Sequence, residues 1–107
     1  MAEDVQSLLL DDHWFPSLLN GTLRATIRIG ERPIQMGRLI FRATNGTYLP
    51  AFVFVEKVIN TTLIGINEFD AQLAGYATFE MARDDLMLTY PEAKLDTPFT
   101  VIRFERV

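Results

Sequence analysis

The sequence reads Asn20-Gly21-Thr22-Leu23-Arg24-Ala25-Thr26-Ile27-Arg28-Ile29 near the start of the chain, and this stretch decides the fold. From Thr22 to Ile29 polar and apolar residues alternate at every position, a pattern typical of a β-strand with one buried face. The polar face carries two hydroxyl groups and two guanidinium groups. Such a row of donors suits an anion or the polar edge of a base, and a solvated strand face would show the same pattern.

Length and composition limit the class of protein. A chain of 107 residues with 49% apolar and 22% charged side chains fits one globular domain, residues 1–107, with a modest core. The absence of Cys excludes disulfides and Cys nucleophiles, and with one His we expect no metal site and no cofactor. No run is long and apolar enough for a membrane span or a secretion signal, so we expect a soluble, cytoplasmic protein with no membrane partner.

Charge is distributed unevenly along the chain. The formal net charge is -4, which does not favour nucleic acid as a whole-molecule property. However, five arginines and a single acid, Glu31, lie between Asn20 and Arg42. Arginine makes planar, bidentate contacts with phosphates and bases, so this segment is a candidate binding surface. Solvated arginines on a pair of strands are the alternative interpretation.

Capping and turn signals predict the short elements. A short helix is expected over 13–21, because Pro is tolerated in a first turn and Gly21 suits the position after a helix end. Asn45-Gly46 between two apolar runs predicts a β-hairpin. Asn67 and Thr78 are suitable N-caps for two further helices, and Pro91 ends the second of them.

The apolar runs in the sequence predict the strands and how they pair in the sheet. The runs at 22–29, 38–43 and 48–59 read as an antiparallel meander, and the first twelve residues are expected to fray at their start. The final run, 97–107, has apolar residues on both parities, which predicts a central strand paired on both sides. The sequence therefore predicts an α+β fold, a small closed or strongly bent, mostly antiparallel sheet flanked by two or three short helices.

Several motifs, in this order and spacing, resemble the ASCH domain of the PUA-like superfamily over nearly the whole chain. They are Leu18-Leu19-Asn20-Gly21 leading into Thr26-Ile27-Arg28, then Gly37-Arg38-Leu39, then Ala74-Gly75-Tyr76 before an acidic helix that ends in Tyr90-Pro91, and last Thr100-Val101-Ile102-Arg103-Phe104. The resemblance implies a PUA-like β-barrel with a cleft beside the barrel.

The resemblance also implies a function. ASCH domains are thought to bind RNA or nucleotides, and a small bacterial subgroup of amidohydrolases converts N4-acetylcytidine to cytidine with a Lys, a Thr and a later Glu. Thr26 matches the Thr of that set, whereas the Lys position holds Leu23 and the Glu position falls near Ala74 or Gly75. Because Leu, Ala and Gly cannot transfer a proton, we expect binding without catalysis.

The favoured hypothesis is a module that binds RNA, a nucleoside or a nucleotide. Thr26 and Arg28 would form the floor of the cleft, and Arg24, Arg38 or Arg42 its rim. An aromatic ring from Tyr76 or Trp14 would stack on the base. His13 has no partner motif and is interpreted as a surface or capping residue.

Two alternatives stay open. An amidohydrolase acting on N4-acetylcytidine or a related acylated nucleoside would use Thr26 as its catalytic residue, with Glu68, Asp70 or Glu80 recruited from the helices. A protein-interaction module would instead use the acidic N-terminal segment with Leu8-Leu9-Leu10 as its docking element.

Overall fold

A computed structural model describes residues 5–107 of the chain. Within this range the strands are β1 (Ser7–Leu10), β2 (Ala25–Ile29), β3 (Gly37–Ala43), β4 (Ala51–Thr62) and β5 (Pro98–Arg106). The helices are α1 (Phe15–Leu19), α2 (Glu68–Leu73) and α3 (Phe79–Thr89), with single 3-10 turns at Asp12–Trp14 and Leu63–Gly65.

The five strands form one curled sheet, a half-barrel with the order β1-β3-β4-β5-β2. β1 runs parallel to β3, and the other three pairs are antiparallel. β1 and β2 form the two edges, so of the two predicted shapes the sheet adopts the strongly bent one. The predicted α+β class, the mostly antiparallel sheet and the flanking short helices are confirmed.

The predicted meander is wrong, since β2 does not lie beside β3. β2 pairs with β5 at the far edge, from Ala25 opposite Arg103 to Ile29 opposite Phe99, and β1 occupies the place beside β3. Alternation fixes which face of a strand is buried but not which strand is its partner. Ser7–Leu10 form β1 within the stretch where fraying was expected, while residues 1–4 lie outside the described residues.

The capping predictions are confirmed. The side chain of Asn67 accepts a hydrogen bond from the Asp70 amide at 2.7 Å, and the Thr78 hydroxyl accepts one from the Met81 amide at 3.2 Å. The hairpin predicted at Asn45-Gly46 joins β3 to β4. These local signals place α3 along one side of the sheet and end it just before Pro91.

β5 is an interior strand of the sheet, paired with β4 on one side and with β2 on the other. Its side chains enter two apolar clusters, one formed with β1, α1, β3 and β4 and the other with β2, α2 and α3. Ile102 and Phe104 belong to the first cluster, and Phe99 and Val101 to the second. Burial of both faces explains the apolar residues on both parities of this strand, as the sequence predicted.

An ion pair fixes α2 against β5. Arg103 Nε donates to the carboxylate of Asp70 at 2.6 Å, and Asp70 is only 2% exposed. The guanidinium lies 5.2 Å from the centre of the Phe69 ring. The end of α2 reaches β2 through a hydrogen bond of 2.9 Å from the Arg24 amide to the Leu73 carbonyl. This clamp holds the segment after α2 beside β2.

Membrane-spanning segments were also considered. Among residues 5–107, none of the helices combines the length and the apolarity needed to cross a bilayer.

Candidate functional site

A cleft of about 350 Å³ opens between β2, α3 and the segment that joins β1 to α1. Its volume is near the lower end of the range for small-molecule sites, about 300–1,000 Å³. The side chains that give the cleft its chemistry are Trp14, Thr26, Arg28, Tyr76, Asp85 and Tyr90. Three elements that are distant in sequence therefore meet at one concave surface.

Thr26 and Arg28 form the floor of this cleft. They lie on β2, opposite Ile102 and Thr100 of β5, and Thr26 is buried while Arg28 is half-buried. Arg28 Nε donates a hydrogen bond of 3.1 Å to the Thr26 hydroxyl. This bond sets the direction of the guanidinium along the cleft floor.

The guanidinium of Arg28 has an unsatisfied donor. Its Nη2 is buried and has no hydrogen-bond partner, and no carboxylate among residues 5–107 lies within ion-pair distance of it. Burial lowers the pKa of Arg28 below its usual range, and Arg32 adds to this. Arginine nevertheless stays protonated in proteins, so the cleft contains a partly desolvated positive charge without a counter-ion.

Aromatic rings form the wall of the cleft. The rings of Trp14 and Tyr76 meet edge to face at 5.6 Å between centroids, and the His13 ring lies 4.5 Å from that of Trp14. The Tyr76 hydroxyl donates to the carboxylate of Asp85 on α3. Burial, followed by this hydrogen bond and the charge of Asp85, raises the pKa of Tyr76 well above its usual range, so the phenol keeps its proton.

Gly75 permits the close packing of this wall. Its φ is +97°, in the left-handed region, and a Cβ at this position would collide with the six-membered ring of Trp14. Both constraints favour glycine. The residue thus lets Trp14 lie against the backbone immediately before Tyr76.

A smaller cavity of about 50 Å³ lies at the inner end of the cleft, with which it shares Trp14, Thr26 and Tyr76. Leu23 and Ala74 line this inner cavity and are only 3% and 5% exposed. Leu23, at the position where the resemblance expects Lys, and Ala74, one of the two residues near which it expects Glu, therefore lie close to Thr26, but both are apolar. Neither side chain can hold or transfer a proton.

The structure separates the predicted site residues. Thr26, Arg28, Tyr76 and Trp14 line the same cleft. Arg24 is exposed and lies outside the cleft. It forms an ion pair of 3.1 Å with Glu105 and a longer one of 4.0 Å with Glu56. Arg38 and Arg42 lie exposed on β3, whose neighbours are β1 and β4.

Three cleft residues were not found from the sequence. No motif in the sequence directs Asp85 or Tyr90 to the cleft, and His13 is expected as a surface or capping residue. All three line the cleft, and His13 Nδ1 lies 3.5 Å from the carboxylate of Asp11 in an exposed position. Tyr76 lies just before α3, Asp85 lies within it and Tyr90 lies at its end. Their spacing places them on one side of the cleft only when the path of the chain between Tyr76 and α3 is known.

Metal ligands were also considered. Within the described part of the chain, no three His, Cys, Asp or Glu side chains are grouped closely enough to hold a metal ion.

The half-barrel with a cleft beside it defines the fold class as PUA-like. Within that class the chain has an ASCH-like fold. It superposes on an ASCH domain from Lactobacillus crispatus JV V101 with a TM-score of 0.65 and 16% identity, over 85% of this chain and 68% of that one.

Two further solved structures share the fold. A protein of the family DUF984 from Enterococcus faecalis V583 gives a TM-score of 0.73 at 17% identity, over all of this chain and 78% of that one. A hypothetical protein gives 0.73 at 15% identity, over 97% of this chain and 100% of that one. No protein-family model and no curated protein sequence matches the chain significantly. At these identities the likeness establishes the fold alone.

Proposed function

We propose that the cleft binds a nucleoside or nucleotide, free or as part of RNA, without chemically altering it. The observation that carries this proposal is the buried, unpaired Nη2 of Arg28. A buried donor left without a partner costs about 1–3 kcal/mol, and more when the group is charged. An anionic or carbonyl oxygen bound where the guanidinium lines the cleft would supply the partner that the chain does not, which gives the cleft a preference for a phosphate or a base edge.

The rest of the cleft complements a planar base. Trp14 and Tyr76 present aromatic surface at one wall, and Tyr90 lies at another. Stacking of a base on such a ring is worth about 1–3 kcal/mol and tolerates any base. The carboxylate of Asp85, which Tyr76 orients, is an acceptor for an exocyclic amino group. The ASCH-like fold supports the proposal, since the resemblance implies RNA or nucleotide binding.

The inner end of the cleft supports binding over catalysis. Leu23 takes the place where the resemblance expects a proton-transferring Lys, and the expected Glu falls near Ala74 or Gly75; Leu23 and Ala74 line the inner cavity together with Thr26. The Thr26 hydroxyl accepts from Arg28 Nε. A guanidinium is a donor only and cannot act as the general base that a hydroxyl nucleophile needs.

A titration followed by amide chemical shifts tests this proposal. We expect nucleoside monophosphates to perturb Thr26, Arg28 and Tyr76 and to bind more tightly than the matching nucleosides, because a charged phosphate oxygen makes a stronger hydrogen bond with the guanidinium than a neutral base carbonyl does. Arg28→Ala should weaken monophosphate binding about tenfold or more, as expected for the loss of a charge-assisted hydrogen bond. Arg24→Ala removes the same charge outside the cleft and is the matched control. Unperturbed spectra with both ligand classes at low salt would contradict the proposal.

The amidohydrolase alternative rests on Thr26, which lies in the cleft next to the positions of the expected catalytic set. Asp70, one of the acids suggested for recruitment, is committed to Arg103. Incubation of the protein with N4-acetylcytidine, with cytidine measured by chromatography, separates the two hypotheses. The binding proposal expects no cytidine above the uncatalysed background. Release of cytidine that Thr26→Val abolishes would assign the cleft to the enzyme instead.

A further inference from the structure

The outer face of β3 and β4 has an unusual composition for a solvated sheet surface. Phe52 and Phe54 of β4 point to solvent and are 49% and 52% exposed, while the inward side chains that flank them, Ala51, Val53 and Val55, are buried. Antiparallel sheets usually present polar side chains on the face away from the core. Two large rings at successive outward positions therefore require an explanation other than packing.

The neighbouring strand supplies positive charge at the same level. In the strand register Arg38 lies opposite Phe54, and Ile40 lies opposite Phe52. Arg42 follows at the next outward position of β3. Aromatic rings on β4 thus lie beside guanidinium groups on β3. We call the five residues Arg38, Ile40, Arg42, Phe52 and Phe54 the outer platform.

Charge on this face is not internally balanced. Among residues 5–107, no carboxylate lies within ion-pair distance of Arg38 or Arg42. Glu105, which lies opposite Phe54 on β5, is paired with Arg24 at 3.1 Å. Glu56, the next outward residue of β4 after Phe54, also lies 4.0 Å from Arg24. Counting Arg24, the described part of this face carries three guanidinium groups against two carboxylates, and the two β3 arginines are available to an anionic partner.

We propose that the outer platform binds single-stranded nucleic acid, with Phe52 and Phe54 stacking on bases and Arg38 and Arg42 contacting phosphates. Aromatic rings beside a positively charged track are the general solution for binding single strands. Because this surface lies on a different part of the sheet from the cleft, the proposal does not depend on the function proposed for the cleft.

The spacing of the rings favours a single strand over a duplex. Phe52 and Phe54 are two residues apart on a strand, which separates them by roughly 6.8 Å. This is about twice the roughly 3.4 Å rise per nucleotide of a stacked strand. Two successive bases can each meet a ring only when they are spread apart, which a flexible single strand allows and a duplex does not.

A second copy of the chain fits this face less well. In a two-fold contact the same patch meets itself, so four guanidinium groups of the outer platform would enter one interface, while the neighbouring carboxylates of Glu56 and Glu105 are already shared with Arg24. A purely apolar partner would leave Arg38 and Arg42 desolvated and unpaired. The phosphates of a nucleic acid match the charge, and its bases match the rings.

Fluorescence anisotropy with labelled oligonucleotides tests the proposal on the full chain. The probes are an unstructured RNA of about 12 nucleotides, a length within the range that such surfaces cover, the DNA of the same sequence, and the DNA duplex. We expect both single strands to bind more tightly than the duplex at about 50 mM salt and to weaken as salt rises. A difference between RNA and DNA identifies which of them is the better ligand.

Matched variants connect the binding to the outer platform. Phe52→Ala and Phe54→Ala should each weaken single-strand binding about fivefold or more, as loss of one stacked base predicts. Arg38→Gln and Arg42→Gln should each reduce the slope of log affinity against log salt by about 0.7. Leu88→Ala, also at an exposed apolar site, and Arg83→Gln, which removes a charge on α3, are the controls. Circular dichroism and thermal melting show whether each variant is folded.

Three results would overturn the proposal. The first is an absence of oligonucleotide binding at low salt. The second is binding that survives the Phe52 and Phe54 changes but is lost in Arg28→Ala, which would place all binding in the cleft. The third is a dimer in sedimentation experiments that becomes a monomer in the Phe52→Ala/Phe54→Ala variant, which would assign the face to a second copy. Loss of mononucleotide binding alone concerns the cleft and leaves the outer platform untouched.

Discussion

Arg24 and Arg28 lie four residues apart on the same parity of one stretch, yet they have opposite electrostatic surroundings. Arg24 is exposed and pairs with Glu105 at 3.1 Å and, more distantly, with Glu56. Arg28 is half-buried, bonds to a neutral hydroxyl, and leaves Nη2 buried without a partner. The first arrangement is a complete surface ion pair, whereas in the second the guanidinium has no counter-charge among residues 5–107.

Residue type and position on one face of a strand therefore do not predict which arginine lacks a counter-charge. What matters is whether the surrounding chain supplies a counter-charge. Arg103 on β5 is the third case, because it is partly buried like Arg28 but has a carboxylate partner in Asp70 at 2.6 Å. The three arginines therefore differ in counter-charge: Arg24 has an exposed partner, Arg103 has a buried one, and Arg28, to which we assign a ligand, has none among residues 5–107.

The largest effect is expected from removing the partner of the structural arginine. Asp70→Ala leaves Arg103 without its buried carboxylate, and breaking such a pair typically costs about 3–5 kcal/mol. Because Arg103 retains some exposure, we expect a loss at the lower end, about 3 kcal/mol in the free energy of unfolding. Urea denaturation measures it. A loss no larger than that of an exposed control, Glu105→Gln, would show that the clamp on α2 contributes little.

The second effect concerns the wall beside Arg28. Gly75→Ala places a side chain in the left-handed region and against Trp14, so we expect a loss of about 1–3 kcal/mol and a displaced indole ring. Gly46→Ala is the matched control, since φ is +70° there and nothing lies within 4 Å of the added Cβ. Trp14 is the only tryptophan, so its emission spectrum reports the displacement directly. Equal losses and unchanged emission in both variants would refute the role of Gly75 as a packing site.

The smallest effect is expected at the surface pair. Arg24→Ala should change the free energy of unfolding by less than about 1 kcal/mol, because exposed ion pairs contribute little. Nucleotide binding should be unchanged. A double-mutant cycle with Glu105→Ala measures the coupling between the two side chains. Weaker nucleotide binding in Arg24→Ala would erase the distinction between the two arginines of this stretch.

The sequence predicts the local features of the structure, its strands and helix caps, well. The alternation of 22–29 identifies the strand that carries Thr26 and Arg28, and the caps at Asn67 and Thr78 locate α2 and α3 because capping is a property of a few adjacent residues. The resemblance to ASCH domains predicts the bent sheet and the cleft beside it. These features depend on short-range chemistry or on the order of motifs.

The partners of each strand and side chain could not be predicted in the same way. Each residue of β2 pairs with a residue of β5 that lies 70 to 78 positions further along the chain, and alternation carries no information about that choice. The counter-ions of Arg24 and Arg103 come from β4, β5 and α2. Asp85 enters the cleft because of how α3 packs, which a helical spacing alone does not specify. Such contacts depend on the tertiary fold.

The central claim is that Arg28 is retained for a ligand and not for the fold, and the substitution Arg28→Met tests it most directly. Methionine keeps much of the length and apolar contact of the side chain while removing the unpaired buried charge. We predict a free energy of unfolding that rises by about 1 kcal/mol together with loss of nucleoside monophosphate binding. A lower free energy of unfolding, or monophosphate binding that survives, would contradict the claim.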